Sequence, residues 1–340
     1  MRGAPAWRLE RRPAARARTG RGRPTTDASR PPTPRRPARP TAHRRRDAQR
    51  RPRGSPTAQR HNHNTTQHNE TRGNMIANVL TIAGTDPTGG AGIQADLKAF
   101  SAMRAYGMAA ITAVVAQNTT GVRSFRALDP AFVADQIDAV FDDVAVHAVK
   151  IGMIATAAIA EAVAAALVRH RAAPVVLDPV MVAKSGDRLL DPDAVDAIRD
   201  KLVPISTLIT PNLPEAGVLL GRSEPRTLAE MHAAAAELHA LGSRWVLLKG
   251  GHLAGERSVD VLRGPAAATV ELSAPRVATN NDHGTGCTLS AAIAALLPSH
   301  SVEDSVCQAK AYLSDALAAS GELEVGRGHG PVHHFHALWN

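Results

Sequence analysis

Three observations predict an α/β fold with an open, mostly parallel central sheet, helices on both faces and a small antiparallel edge. From Asn78 onward, short β-branched runs alternate with Ala- and Leu-rich stretches of helical texture. Several of the runs are apolar throughout, as strands covered on both faces must be. The runs are spaced by about 10 to 15 helical residues, which is the spacing of βαβ units.

Strands are expected over Val79–Ala83, Ala110–Ala116, Ala145–Ile151, Pro174–Asp178, Thr207–Thr210 and Trp245–Lys249. Each is a short run dominated by Val, Ile, Leu or Ala. Between them, Ala91–Tyr106, Pro130–Phe141, Ala155–His170, Pro192–Leu202, Leu213–Leu220 and Leu228–Leu241 read as helices, because alanine and leucine are among the best helix formers. Two polar–apolar runs, Ser258–Arg263 and Thr269–Leu272, flank Gly264-Pro265 and predict an antiparallel hairpin at the sheet edge. Helices over about Thr285–Leu297 and Val302–Ser320 close the chain. No internal linker interrupts residues 75–340, so one domain accounts for them.

The charge is unevenly spread. Residues 1–74 hold 20 Arg, no Lys and four acids (Glu10, Asp27, Asp47, Glu70), a balance of +16. The whole chain stands at +9, which leaves −7 on residues 75–340. The basic character therefore belongs to the first segment, and net charge supports no nucleic-acid role for the folded part. That segment is poor in large apolar residues and ends in His61-Asn62-His63-Asn64. It cannot bury enough apolar surface to offset chain entropy and is expected to be disordered. It could be a basic arm, a transit peptide, or sequence upstream of the true start. Pro31, Pro32, Pro34, Pro37 and Pro40 oppose the amphipathic helix of a transit peptide, so a start at Met75 is the expectation. With two cysteines, Cys287 and Cys307, and no bilayer-length apolar run, a soluble, cytoplasmic protein is expected.

In a parallel sheet, ligands bind beyond the carboxyl ends of the strands, and the residues there form a set. After the first strand comes Gly84-Thr85-Asp86-Pro87-Thr88-Gly89-Gly90-Ala91-Gly92, a glycine-rich loop suited to close backbone approach. One register mimics a dinucleotide fingerprint, but Asp86-Pro87 separates the glycines from the strand. The second strand also ends in Gln117, where an acid would be needed. A Gln there can pair with an aminopyrimidine edge. Asp178 follows an apolar strand and suits hydrated Mg²⁺, with Glu215 and Asn212 as candidate neighbours. Asn212 and Glu215 also have capping-box spacing, and the two roles are compatible. Lys249, beside Gly250-Gly251-His252, can neutralise a transferring phosphoryl group.

The strongest element is Asn280-Asn281-Asp282-His283-Gly284-Thr285-Gly286-Cys287, which runs straight into a helix. Gly284, Thr285 and Gly286 at a helix start leave backbone N–H groups aimed outward at an anion. Cys287 lies in the first turn, where the helix dipole is expected to lower its pKa and let it take the proton of an attacking hydroxyl. Cys307 reads as an ordinary buried cysteine. His333, His334 and His336 lack partners at ligand spacing and read as a surface tail rather than a metal site.

Taken in order, these motifs resemble the hydroxymethylpyrimidine/phosphomethylpyrimidine kinases of thiamine biosynthesis, in the ribokinase superfamily. The resemblance runs from Asn78 to the C-terminus and is carried by Ala83–Pro87 with Gly89–Asp96, Val115–Thr119, Lys150-Ile151-Gly152-Met153 and Asp178-Pro179-Val180-Met181. Lys184-Ser185-Gly186, Thr210-Pro211-Asn212, Lys249–His252, His283–Cys287 and Gly330–His334 extend it. It implies a ribokinase-like fold, ATP with Mg²⁺, a homodimer, and two successive phosphorylations of one pyrimidine. Carried onto this chain, Gln117, Gly84, Asp96 and Val180 would bind the pyrimidine. Lys249, Gly284, Gly286 and Cys287 would be catalytic; Lys249, Thr285 and Asn212 would contact ATP phosphates; and Asp178 and Glu215 would hold the metal. Asp282 departs from the family's small neutral residue and could repel phosphate or assist Mg²⁺. Pyridoxal kinase and a non-catalytic pyrimidine sensor are the rival readings.

Overall fold

The computed structural model describes residues 75–181, Leu190 and residues 193–339. The expectations for residues 1–74, and the Lys184-Ser185-Gly186 motif, lie outside the described residues.

Seven strands lie side by side as β9-β8-β7-β6-β5-β1-β2, with β10 outside β9. They are β1 (Asn78–Ala83), β2 (Tyr106–Ile111), β5 (Ala148–Ile151), β6 (Val175–Leu177), β7 (Leu208–Ile209), β8 (Trp245–Leu248), β9 (Arg257–Arg263) and the outermost β10 (Thr269–Pro275). Pairing is parallel from β2 to β8 and antiparallel at β8–β9–β10. The expected antiparallel edge is therefore present. Strand order reverses between β1 and β5, the switch point beside which a ligand crevice opens.

The pleat sends successive residues to opposite faces, and two cores result. Leu80, Ile82, Val149, Ile151, Val175, Leu177 and Ile209 pack on one side, against helices α2 (Pro130–Asp143), α3 (Ala157–Arg169), α5 (Leu213–Leu219) and α6 (Leu228–Ala240). Val79, Ala148, Val176, Leu208 and Leu247 pack on the other, against α1 (Gly92–Ala102), α7 (Thr285–Leu296) and α8 (Val302–Ala318). The short α4 (Ala194–Ala197) runs into a π-helical turn at Ile198–Leu202.

Several expectations need correction. The run read as one strand over Ala110–Ala116 is two. At Thr112 the chain leaves the sheet, held by Thr112 Oγ1 donating to the Met153 carbonyl at 2.7 Å. Beyond it, β3 (Ala113–Asn118) pairs antiparallel with β4 (Gly121–Ala127) in a separate two-stranded sheet. The helix expected over Ala91–Tyr106 stops at Ala102, and Arg104 takes a positive φ of 62° before β2 begins. Cys307 is exposed, not buried, because it lies on the outer face of α8. His333 and His334 are 3 % and 4 % exposed, so the C-terminal segment is packed and not a surface tail. His334 Nε2 lies 3.0 Å from Thr288 Oγ1, and Tyr312 donates to its carbonyl at 2.8 Å.

Candidate active site

Helix ends distinguish this side of the sheet. Asp129, Thr156, Asn212, Thr227 and Ser301 cap α2, α3, α5, α6 and α8 with side-chain oxygens. The helices α1 and α7, whose N-termini face one another beyond β1, begin with no side-chain cap. Their first-turn N–H groups have no intrahelical acceptor; at α1 the Gly92 N–H goes to the Cys287 thiol and the Ile93 N–H to the Gly84 carbonyl at 3.0 Å, while the α7 start, Gly284–Cys287, opens on the cavity.

Between these helix starts lies a cavity of about 440 Å³, within the range of small-molecule sites. Its wall includes Gly84, Gln117, Val180, Asp178, Lys249 and the Gly284–Cys287 loop, with Val115, Met153 and Met181 as apolar surface. A second cavity of about 300 Å³ adjoins it, sharing Asn212, Lys249, Thr285 and Gly286 and extending past Asp260 and Lys310. The anion loop and Lys249 thus stand at the boundary between two chambers.

Lys249 closes β8, and its Nζ lies 2.8 Å from Asp178 Oδ1. Thr210 and Ser290 also donate to Asp178, at 3.0 and 3.3 Å. Burial alone would raise the Asp178 pKa, but the Lys249 and Lys150 charges hold it below the ordinary carboxylate range. Burial likewise opposes the Lys249 charge, and Asp178 and Glu215 outweigh it, so this lysine stays protonated. Both groups abut the anion loop: a Cβ on Gly286 would lie 3.2 Å from Lys249 Nζ and 3.4 Å from Asp178 Oδ2. A side chain there would crowd both groups, and glycine leaves the backbone amides room beside them.

Asn212 and Glu215 form the expected capping box, with Asn212 accepting from Glu215 N–H at 2.9 Å and Glu215 accepting from Asn212 N–H at 2.7 Å. Burial, with Asp178 adding to it, pushes Glu215 up to about 7 despite the Lys249 charge. The donors near the boundary are hard oxygens from two carboxylates, and among the described residues no cluster of three or more metal-ligating side chains exists. That set fits Mg²⁺ held partly by substrate phosphates rather than in a closed protein cage.

The Cys287 expectation is corrected in one respect. The thiol lines the cavity and accepts a hydrogen bond from the Gly92 N–H at the start of α1. Burial nevertheless pushes its pKa up to about 11, overriding the Lys150 charge and the Gly92 bond. Helix position was legible from sequence; desolvation was not.

Asp96 is also corrected. It is fully buried, its carboxylate lies 2.8 Å from Lys150 Nζ, and it accepts from Thr81 at 2.6 Å. It is absent from the cavity wall, which Lys150 itself joins. Burial opposes the Lys150 charge, but Asp96 more than compensates and keeps it cationic. Sequence reading placed Lys150 in a motif without a role. A lysine inside the fully buried strand Ala148–Ile151 was the available signal, since a buried charge requires a partner.

Asp86 was the other residue missed. Its carboxylate accepts from Thr88 N–H and Oγ1 and from the Gly90 and Ala91 N–H groups, and lies 2.8 Å from His283 Nε2. Burial raises its pKa, but hydrogen bonds from His283, Gln117 and Thr88 carry it well below the usual range. The odd residue Asp282 lies 3.0 Å from His329 Nδ1 through Oδ1.

Comparison with known proteins points to one family and fold. The family model described as phosphomethylpyrimidine kinase matches residues 86–333. The hydroxymethylpyrimidine/phosphomethylpyrimidine kinase of Salmonella typhimurium is 58 % identical over 263 residues, covering 77 % of this chain and 98 % of the relative. Among solved structures, an ADP complex of Bacillus subtilis pyridoxal kinase superposes with a TM-score of 0.72 at 37 % identity, covering 78 % of this chain and 100 % of the other. A phosphomethylpyrimidine kinase from Clostridium difficile superposes at 0.63 and 40 % identity, covering 71 % and 99 %.

Proposed function

The chain belongs to the phosphomethylpyrimidine kinase family, and from that premise we propose how its two chambers serve two phosphoryl transfers. The enzyme phosphorylates 4-amino-5-hydroxymethyl-2-methylpyrimidine with ATP to the monophosphate and then to the diphosphate, in thiamine diphosphate biosynthesis. One observation carries the assignment of roles: Lys249, Asp178 and the Gly284–Cys287 backbone meet where the two cavities adjoin.

The pyrimidine occupies the larger chamber, with the Gln117 carboxamide on its amino edge and Gly84 and Val180 against the ring. The nucleotide lies in the second, with Thr285 and Asn212 at its phosphates. The γ-phosphoryl group crosses the boundary, where the Lys249 ammonium and the anion-loop N–H groups stabilise its developing charge. When bound, Mg²⁺ neutralises phosphate oxygens; Asp178 and Glu215 are the residues to hold it. In the first step an alcohol must lose a proton, and Cys287 is positioned to take it. In the second step the nucleophile is a phosphate already ionised near neutral pH, and no base is required.

A second reading is favoured by the structural likeness to pyridoxal kinases, including one in complex with pyridoxal. Pyridoxal would enter the same chamber and receive one phosphate. An assay that resolves mono- from diphosphate products, run with the pyrimidine alcohol, its monophosphate and pyridoxal, tests both. Two successive products from the pyrimidine are expected. Turnover of pyridoxal alone would favour the second reading, and pyrimidine binding without ATP consumption would indicate a sensor. Among the described residues no helix is long and apolar enough to cross a membrane. The reading includes a cytoplasmic homodimer with no nucleic-acid partner for the folded domain, checked by fractionation and light scattering.

A further inference from the structure

Asp86 and His283 are 197 positions apart in sequence, yet their side chains meet at 2.8 Å, with Asp86 1 % exposed and the His283 side chain 14 % exposed. Each gathers its own loop. The Asp86 carboxylate accepts three backbone N–H groups of the glycine-rich segment, at 2.9, 3.1 and 2.7 Å. His283 immediately precedes the anion loop, and its N–H donates to the Gly330 carbonyl at 3.0 Å. The loops are also in contact along their backbones. A Cβ on Gly90 would come within 2.5 Å of His283 Cδ2, and one on Gly284, at φ 77°, would overlap the Gly90 carbonyl.

Loops this rich in glycine are flexible by themselves. The amides they present to a phosphate are useful only when aimed, since about 1 Å of misplacement can cost roughly 100-fold in rate. Nothing else among the described contacts ties these loops together by paired polar side chains.

We propose that the Asp86–His283 hydrogen bond is a positioning latch, with both members acting as positioning residues that hold the Gly284–Cys287 amides at the transferring phosphoryl group in both steps. The latch rests on the kinase reading above. Its signature differs from that of Cys287, which serves only the alcohol.

The test compares H283L with H283Q, whose carboxamide keeps a donor for Asp86. H283L is expected to lower kcat roughly 10- to 100-fold for alcohol and phosphate alike, with KM for the pyrimidine changing far less. H283Q is expected to recover most of that loss. Amide hydrogen exchange is expected to rise together at residues 88–91 and 284–287 in H283L and to stay low in H283Q. The latch is overturned if kcat of H283L stays within about twofold of wild type in both steps. Equal impairment of the two variants, or faster exchange in one loop alone, overturns it too. Absence of turnover in the wild type strikes the kinase reading instead, and the exchange measurement then still decides the latch.

Discussion

Replacing Cys287 by Ala should separate the two transfers, and the size of the separation follows from the surroundings of the thiol. With its pKa pushed up to about 11, about one thiol in 10⁴ is ionised at pH 7 and about one in 10² at pH 9. A first step that uses the thiolate therefore accelerates by about tenfold per pH unit across that interval. The second nucleophile is a phosphate monoester whose second pKa is near 6, so its rate is flat over the same range. A well-placed base contributes roughly 10²- to 10⁴-fold. The scarcity of thiolate near neutrality places the expected loss in Cys287→Ala at the low end, about 100-fold for the alcohol and within about threefold for the phosphate. The assay is product-resolved turnover from about pH 6.5 to 9, with each substrate given separately. The alcohol's own ionisation could mimic the slope, and the variant distinguishes the two, because the slope must vanish with the thiol. Parallel pH profiles for both substrates, or equal losses in both, would refute the reasoning and leave Cys287 as a packing residue.

Lys249→Met leaves the nearly buried Asp178 charge without its main partner. It is expected to cost about 3–5 kcal/mol of stability and to abolish both transfers, read by urea unfolding and turnover. Gly284→Ala, forced into φ 77° with its Cβ on the Gly90 carbonyl, is expected to fold but to lose roughly 100-fold in both steps. If Glu215 holds the metal as proposed, it must be ionised to do so, and burial pushes its carboxyl up to about 7. Mg²⁺-dependent nucleotide binding, measured by calorimetry, is therefore expected to strengthen from about pH 6 to 8 and to become flat in Glu215→Gln. A chain beginning at Met75 is expected to match the full chain in kcat/KM, and a loss above about threefold would give residues 1–74 a role in the reaction.

What could be read from the sequence divides along physical lines. Doubly covered strands such as Val175–Leu177 and Trp245–Leu248 announce themselves, since burial on both faces demands continuous apolar runs. The β3–β4 hairpin did not. Arg123, Ser124 and Arg126 are exposed and leave β4 without an apolar pattern. The break at Thr112 is made by a tertiary hydrogen bond to Met153, on a residue that itself favours strands. Lys249, Asp178 and the anion loop were legible because each follows a strand or opens a helix, and position there implies direction. Asp96 was misassigned because it sits inside α1, where motif membership does not reveal which way a side chain points. For Cys287 the helix dipole is local and readable, but the burial that outweighs it is assembled from segments distant in sequence.

The uncapped start of α7 carries one more consequence. The helices α2, α3, α5, α6 and α8 are finished by the chain's own Asp, Thr, Asn, Thr and Ser, so those ends are complete as synthesised. On the proposed reading that completion is left to a visitor at α7: a bound phosphate would supply the acceptor that a cap residue otherwise provides. Substrate is in this sense a missing piece of the secondary structure. A Ser or Asp introduced at position 284 could not finish the helix instead, since it would meet the same left-handed φ of 77° and the same Gly90 carbonyl as alanine.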